Sequence, residues 1–527
     1  MITHRDQLTR FRKEIYSSFK KRRDALMNLL DALSSWGHQS RSVVQLSEAP
    51  CFERQYSSVT DGLADGLPSV NWQQITEVIF NTACEKSSAQ ASWCPTFILD
   101  CTGNPRPFAR KLADRTINHS PNPAPSNRPI AVGHQYSCLA LLPPDRQSAP
   151  RPWLVPLSME RVKSDEKGNE AGMRELITQL DKLNLTDRLT VSVGDSLYGT
   201  EACRITAASQ PKLVHIFRVN SKRNVFSGSP IESCASGGRG RKKIYGDKMS
   251  LNKPSDHTCP NDTLQFVSES RQGKSHRMTI ACWKNCLLRG SNNYDARAHP
   301  LSLLKITVTD TDDNPLFKRP LWLGVVGNER ERLSLRAIYD YYISRYDIEH
   351  FFRLGKTRLL LDNYQTPDVT HEENWWRFSA LAYNQLYFSR DLVPRLPKPW
   401  ERYLPAYKFV ENSRLPTTAT AAQTQRGFGR LLKSLPRLAT RCRPRGKPMG
   451  RLAGDCPLQR PNQPVIFKKT GIKSQDHASQ PIIQGFEKSF SCSNPRKINH
   501  FVKFVSNQLI QFDISREKFT QILLDTG

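Results

Sequence analysis

A stripe of polar side chains recurs at helical spacing in the segment YISRYDIEHFFRLGK, residues 342–356. Tyr342 opens the stripe. The other members follow it at offsets of three, seven and fourteen residues and are Arg345, Glu349 and Lys356. At 3.6 residues per turn, all four side chains fall within about 60° of one another on one helix face. An ordinary amphipathic helix would place apolar residues on a stripe this regular, so its polarity indicates a function.

Two aspartates earlier in the chain follow strand-like segments. Asp100 ends the segment TFILD, and Asp195 ends the segment LTVSVGD. A side chain at the end of a strand can leave the sheet edge and point into a crevice. We therefore expect both aspartates to face Glu349, carried on a helix that packs across their sheet.

Three carboxylates in this arrangement favour metal-dependent phosphodiester chemistry. Converging carboxylates hold a pair of hard divalent cations through oxygen ligands. Two such ions activate a water or a 3′-hydroxyl and stabilise the leaving oxygen. Arg345 and Lys356 would then contact DNA phosphates, and Tyr342 would donate a hydrogen bond to a phosphate or stack on a base.

Each of these residues also has an ordinary structural explanation. An aspartate at a strand end is often a turn former or a helix cap. A helix glutamate among arginines is often one half of a surface ion pair. The chemical interpretation depends on the ordered combination of the three acids and the polar stripe.

The elements that must position the acids follow the order β-β-β-α-β. A helical segment, AGMRELITQLDKLNL, precedes the last of four strand-like segments, which are 96–100, 135–143, 152–160 and 189–195. After Asp195, short β-like pieces such as RMTIACW and LSLLKITVTD form a β-rich insertion. We expect a long helix carrying the polar stripe to start near Glu331, and a second helix over 371–388.

The composition favours a polyanionic partner. The chain has 527 residues, a formal net charge of +28 and a pI near 9.7, and its cations are spread along the whole sequence. No apolar run approaches the roughly 20 residues of a membrane-spanning helix. The N-terminal segment lacks the apolar core of a signal peptide, and the thirteen cysteines are scattered. We therefore expect a cytoplasmic protein whose partner is nucleic acid rather than a membrane.

These motifs together resemble a known family. The spacing of Tyr342, Arg345, Glu349 and Lys356 matches the Y-R-E-K signature of bacterial insertion-sequence transposases with a DDE catalytic triad. The segment ILDCTG resembles the strand of the first aspartate, and VSVGDSLYGT resembles that of the second. The resemblance covers roughly residues 90 to 390. It implies an α/β fold with an RNase H-like core, interrupted by the β-rich insertion, and an N-terminal helical domain.

The resemblance also implies an activity. Such enzymes bind double-stranded DNA at the terminal inverted repeats of their element, pair two ends in a homodimer, and join the cut ends to target DNA. Asp100, Asp195 and Glu349 would be both the catalytic residues and the ligands of two Mg²⁺ or Mn²⁺ ions. The protein would be bacterial and associated with the nucleoid when bound to DNA.

Two further residues are implied by the resemblance alone. Trp322 in PLWLGVV corresponds to a tryptophan that stacks on a flipped base, and Arg218 in IFRVNSK corresponds to an arginine near that base. A core aromatic in a strand is the alternative for Trp322. Cleavage through a DNA hairpin therefore stays open, as does cleavage by nicking.

The sequence predicts six regions. In chain order they are an N-terminal helical DNA-binding domain (1–92), the first part of the core (93–200), the β-rich insertion (201–328), the catalytic helix with the rest of the core (329–400), a basic, poorly packed Pro/Arg-rich region (401–470) and an unassigned tail (471–527). Two shorter basic segments are candidate DNA contacts or solvated surface, namely KKRR at 20–23 and GGRGRKK at 237–243.

Two alternatives to an active transposase remain open. One is a non-catalytic derivative that binds DNA without cutting it. The other is a structure-selective nuclease on the same fold, which would hydrolyse DNA without strand transfer.

Overall fold

The structure is a computed structural model in which the described residues are 3–85, 93–119, 130–145, 153–228, 245–269, 275–291, 294–393, 419–442 and 460–467. All of them belong to the first of two structural units, Met1–Lys468. The predicted minor-groove segment GGRGRKK, the tail 471–527 and most of 401–470 lie outside the described residues. No helix in the described ranges is both long and apolar enough to cross a membrane.

The described residues form α-helices on both faces of one large sheet. The helices are α1 (His4–Ser18), α2 (Arg23–Trp36), α3 (Ser57–Asp61), α4 (Trp72–Cys84), α5 (Gly168–Lys182), α6 (Glu201–Ala208), α7 (Leu335–Ser344), α8 (Asp347–Arg358), α9 (Val369–Ser389) and α10 (Ala421–Leu432). The strands are β1 (Thr96–Pro105), β2 (Thr116–His119), β3 (Ile130–Leu141), β4 (Val155–Val162), β5 (Thr190–Gly194), β6 (Leu213–Arg218), β7 (Asn224–Gly228), β8 (Tyr245–Ser250), β9 (Asp262–Glu269), β10 (Ser275–Leu287), β11 (Leu301–Thr309) and β12 (Leu321–Val326).

The sheet has the strand order β2-β3-β1-β5-β6-β12-β11-β10-β7-β8, with β4 beside β3 and β9 beside β10. The three strands at its centre, β1, β5 and β6, are parallel. Every residue of β5 is buried, as expected for a parallel strand covered on both faces. The α/β class is therefore confirmed, and the large mixed sheet is consistent with an RNase H-like core.

Asp100 lies inside β1, so the prediction that it ends its strand is wrong. β1 continues to Pro105 because it keeps pairing with β3 on its other side, as far as Pro105 opposite Gly133. Its parallel partner β5 stops earlier, at Gly194. The short strand β2 is also additional to the predicted β-β-β-α-β order.

The polar stripe lies on two helices rather than one. α7 begins after its N-cap Ser334, beyond the predicted start near Glu331, and α8 begins at Asp347. The turn between them is held by bonds between residues three apart, such as the amide of Arg345 with the carbonyl of Tyr342 (3.1 Å). Arg345 and Glu349 still lie in contact, as the helical spacing predicted, although the helix is interrupted at Arg345 itself.

The N-terminal helical region predicted over 1–92 begins with two separate helices. α1 ends at Ser18, and α2 starts after Arg22, which has a left-handed backbone conformation with φ 51°. The KKRR segment at 20–23 is the exposed connection between them. Its role as a DNA contact stays a prediction.

The β-rich insertion continues the core sheet. β12 pairs antiparallel with β6, and Leu323 lies opposite Arg218. The strands β7 to β11 then extend the sheet outward from β12. The predicted domain bounds stay predictions, because no break in the sheet marks them.

Two helices near the end of the described chain close the core. Trp375 and Trp376 on α9 are fully buried, and Trp376 stacks on Tyr136 with ring centroids 4.0 Å apart. The expectation of poor packing beyond residue 400 is wrong for α10. Its Phe428 is fully buried, and Gln425 Nε2 donates to the carbonyl of Arg358 (2.9 Å).

Candidate active site

Strand register brings the two aspartates to one level of the sheet. Ile98 pairs with Val193 between the parallel strands β1 and β5, so Asp100 and Asp195, each two residues further on, end at the same height. Asp195 directly follows β5. At the edge of the sheet where β5 stops, both side chains can therefore reach a common space.

Arg345 connects this level to α8. Its Nη1 donates to Asp100 Oδ2 over 3.0 Å, and its Nη2 donates to Glu349 Oε1 over 3.5 Å. The guanidinium thus stands between an acid of the sheet and an acid of the first turn of α8. Asp100 and Arg345 are thus in contact although they are 245 positions apart along the chain.

The pKa of Asp100 shows how crowded with negative charge the site is. Burial raises the pKa of Asp100 to about 6, while the guanidinium of Arg345 opposes the rise. The carboxylates of Asp195 and Glu349 both raise the Asp100 pKa further. Asp195 and Glu349 therefore both lie near enough to act on the Asp100 carboxyl.

The same negative charge favours the charged form of Arg345. Burial acts to lower the pKa of Arg345, but its interactions with Asp100, Tyr342, Glu349 and Asp195 together outweigh burial and raise that pKa. The guanidinium therefore stays charged. It compensates part of the negative charge that the acids accumulate.

Asp195 and Glu349 face the site differently. Asp195 caps the short helix Ser196–Gly199, where its Oδ1 accepts a hydrogen bond from the amide of Leu197 (2.8 Å). The helix-cap explanation is thus correct for one oxygen, and it fixes the direction of the carboxylate. The Glu349 side chain is 43 % exposed, so the site opens to solvent on the side of α8.

The remaining members of the stripe surround the acids. Tyr342 is buried, and burial raises its pKa, whereas Arg345 and Arg218 lower it. Lys356 Nζ donates to the carbonyl of Gly103 (2.8 Å), and burial lowers the pKa of Lys356. Arg218 is exposed at the end of β6, level with Asp195 in the register. Their contacts with DNA stay predictions.

Trp322 lies inside the insertion rather than at the surface. It is 1 % exposed, and its ring lies 5.8 Å from that of Trp283 and 5.3 Å from that of His257. Its Nε1 has no hydrogen-bond partner. Stacking on a flipped base stays a prediction, and it would require the insertion to open.

The donors of the site suit a hard divalent cation, since all three acids offer carboxylate oxygens. Among the described residues, no three His, Cys, Asp or Glu side chains stand close enough together to hold one ion as arranged. The position between Asp100 and Glu349 is taken by the Arg345 guanidinium. A positive charge therefore already lies between these two carboxylates.

A buried charge network beneath the site was not predicted. Glu372 on α9 is fully buried and accepts from Arg106 Nε (3.1 Å), His134 Nδ1 (2.7 Å) and the Tyr136 hydroxyl (2.9 Å). His134 Nε2 also donates to the carbonyl of Ala113, so both ring nitrogens of this histidine are used in structural contacts. The network fixes β1 and β3 against α9. No spacing in the sequence marks it, because its members come from three separate elements.

A family model described as DDE superfamily endonuclease matches residues 14–283, just over half of the chain. The matched residues include Asp100 and Asp195 and end before Glu349. A search of curated proteins finds no match to the chain.

Proposed function

The chain belongs to the DDE superfamily endonuclease family, and from this premise we propose that it is a DNA transposase. It would cut DNA at the ends of its element and transfer the 3′-hydroxyl ends into target DNA. Asp100, Asp195 and Glu349 are the proposed catalytic acids. The N-terminal helices of residues 1–92 are the proposed recognition domain for the terminal inverted repeats.

One observation carries this proposal. The acid that follows β5 and the acid of α8 both act on the Asp100 carboxyl of β1, and Arg345 links Asp100 to Glu349. An isolated surface ion pair would not place two further carboxylates against a buried one, because like charges at short range destabilise the fold. A site that concentrates negative charge at an opening in the surface is suited to bind divalent cations.

The proposed cofactor is a pair of Mg²⁺ or Mn²⁺ ions, held by the three carboxylates. When bound, such ions activate the attacking hydroxyl and stabilise the leaving oxygen of phosphodiester displacement. Asp195 is pre-oriented for this by its hydrogen bond from Leu197. The Glu349 side chain is 43 % exposed, and substrate would enter from its side of the site.

The cations of the stripe would hold the DNA backbone. Arg345 neutralises Asp100 and Glu349 in the structure, and a phosphate offers the same guanidinium a bidentate partner. We propose that Arg345 exchanges its carboxylate for a DNA phosphate as substrate binds. Lys356 and Tyr342 would contact neighbouring phosphates. Arg218, at the end of β6, would contact the same DNA strand.

Cleavage assays test the acids directly. Labelled DNA carrying the element end is incubated with wild type, Asp195→Ala or Glu349→Gln in Mg²⁺ and in Mn²⁺. Wild type should cut and both variants should lose cleavage by at least about a hundredfold. Asp340→Asn is the matched control, because Asp340 is an exposed acid of α7 that pairs with nearby Arg336. Equal products from wild type and both active-site variants would refute the assignment of the acids.

A target plasmid in the same reaction separates the alternatives. Joined products support a transposase, whereas cleavage without joining indicates a structure-selective nuclease. Footprinting of the end without cutting in Mn²⁺ indicates a non-catalytic derivative. Sedimentation of the protein with two end fragments tests the proposed homodimer.

A further inference from the structure

Phe108 is the most exposed large apolar side chain of the described residues, with 80 % of its surface open to solvent. It lies in the loop of residues 106–115, which joins β1 to β2. We name this segment the Phe108 loop. A large apolar side chain with this much exposed surface often marks a binding surface.

The Phe108 loop rises from the edge of the sheet that carries the acids. β1 runs parallel to β5, and it extends five residues past the level of Asp100, to Pro105. Five strand residues span about 17 Å. B-DNA rises about 3.4 Å per base pair. A duplex lying parallel to β1 with its scissile phosphate at the acids would therefore pass the base of the loop about five base pairs away.

Two buried arginines brace the base of the loop. Arg106 is 4 % exposed, and its guanidinium donates to Glu372 (3.1 Å) and to the carbonyls of Asp362 (2.9 Å) and Tyr364 (2.6 Å). These partners belong to α9 and to the segment before it. The loop is thus anchored to the same helix that supports α8.

The second arginine holds the loop from inside. Arg115 is 3 % exposed and donates to the carbonyls of Leu112 (3.2 Å), Arg106 (3.3 Å) and Pro107 (3.2 Å). The amide of Gln463 donates to the carbonyl of Arg110 (2.8 Å) and so fastens a second chain segment beside it. Most of the conformational freedom of the loop is therefore already lost, and little remains to be lost when it binds.

The outward face of the loop is basic. Arg110 and Lys111 are exposed next to Phe108. The chain offers a counterpart in the loop of residues 310–320, where exposed Phe317 precedes Lys318 and Arg319. That second loop carries two exposed cations beside three aspartates, whereas the Phe108 loop carries two exposed cations beside one aspartate, Asp114, which is paired with Arg161. Of these two loops, the Phe108 loop is the more complementary in charge to DNA.

We propose that the Phe108 loop is a DNA wedge. Phe108 enters the minor groove about five base pairs from the scissile phosphate, and Arg110 and Lys111 contact the flanking phosphates. An apolar side chain placed between base steps in this way partly unstacks them and kinks the duplex. This inference rests on the proposed DNA substrate, and it adds a bend that the proposed chemistry does not require.

The test measures bending and affinity without cleavage. A duplex of about 30 base pairs is stiff when free, because it is far shorter than the persistence length of DNA. It carries a donor and an acceptor dye at its two ends and is titrated with protein in EDTA. Wild type should raise energy transfer. Phe108→Ala should remove most of that rise and weaken binding by about fivefold, the lower end of the range for an aromatic contact with a base.

Salt dependence tests the two cations separately. Replacing Arg110 and Lys111 by alanine should lower the slope of log Kd against log salt by about two, since each phosphate contact contributes about 0.9. The matched controls are Phe317→Ala and the Lys318→Ala, Arg319→Ala pair, which should leave bending and slope unchanged. All these side chains are exposed, so the variants should fold.

The outcomes separate this inference from the proposed function. If wild type binds no DNA, both fail. If wild type binds and Phe108→Ala bends the duplex equally well, or the two loops respond alike, only the wedge is refuted. A Phe108→Ala variant that loses self-association while keeping its DNA bend would instead assign the ring to contact with a second copy of the chain, and would also overturn the wedge.

Discussion

The pairing of Arg345 with Asp100 should be worth about 1 to 2 kcal/mol of folding free energy. The two groups are 3.0 Å apart, and their side chains are 16 % and 20 % exposed. Unit charges about 4 Å apart attract by about 4 kcal/mol at an effective dielectric constant of about 20. Desolvation of both groups offsets roughly half of that or more.

A double-mutant cycle isolates this energy. The free energy of urea unfolding is measured for wild type, Arg345→Gln, Asp100→Asn and the double variant, following the fluorescence of the tryptophans beneath α8. Arg345→Gln should destabilise wild type by about 2 kcal/mol, because it leaves Asp100 crowded by two other acids. In the Asp100→Asn background the same change should cost less than about 1 kcal/mol.

The pair Arg336 and Asp340 on α7 is the matched control. Its charged groups are 2.9 Å apart, but its side chains are 46 % and 53 % exposed. Its coupling should be about 0.5 kcal/mol or less. The reasoning is refuted if Arg345 and Asp100 couple no more strongly than this control pair, because the acids would then not need the guanidinium.

Three further changes have expected effects on unfolding in urea. Burial lowers the pKa of His215 to about 4 from 6.5, so the neutral ring should contribute about 3 kcal/mol of folding free energy at pH 7 that is lost as pH falls from about 6.5 to 4. His215→Gln should flatten this dependence of the unfolding free energy on pH, and an unchanged dependence would contradict the reasoning. Glu372→Gln should cost about 3 to 5 kcal/mol, because its buried arginine and histidine partners lose their counter-charge. Glu373→Gln, in the less deeply buried pair with Arg161, should cost less than half as much; equal losses would show that burial of the network does not matter. Gly327→Ala should cost at least about 2 kcal/mol, because its φ is +120° and a Cβ would lie 2.2 Å from a carbonyl oxygen, whereas Gly103→Ala has nothing within 4 Å and should be nearly neutral.

The spacing in the sequence predicted which polar side chains lie close together better than it predicted the elements that carry them. The offsets of Arg345 and Glu349 fit a helix face, and the two side chains do meet. The interruption of the helix between them could not be read from spacing, because one turn of tighter hydrogen bonds keeps the same side chains on nearly the same face. A pattern of residues is therefore preserved across a break that changes the backbone.

The position of Asp100 shows a different limit. The apolar run before it predicted a strand correctly, but where a strand ends depends on its neighbours. β1 continues beyond Asp100 because β3 is still there to pair with it. The reach of β3 follows from the tertiary fold, so the boundary could not be predicted locally.

The Glu372 network and the Phe108 loop could not be predicted from the sequence, for related reasons. The network joins residues of three elements, and single polar residues such as His134 carry no periodic signal. Arg106 and Arg115 read as ordinary basic residues of a positively charged chain. Only their burial, at 4 % and 3 % exposure, distinguishes them from solvated arginines.

Binding of Mn²⁺ tests the shared acidic site most directly. Electron paramagnetic resonance counts the bound ions and gives their Kd for wild type and for Asp100→Asn, Asp195→Asn and Glu349→Gln, without DNA or turnover. Each of the three substitutions should weaken the same tight binding by at least about tenfold. Wild-type binding that survives all three substitutions, or that depends on only one of them, would contradict a common metal site.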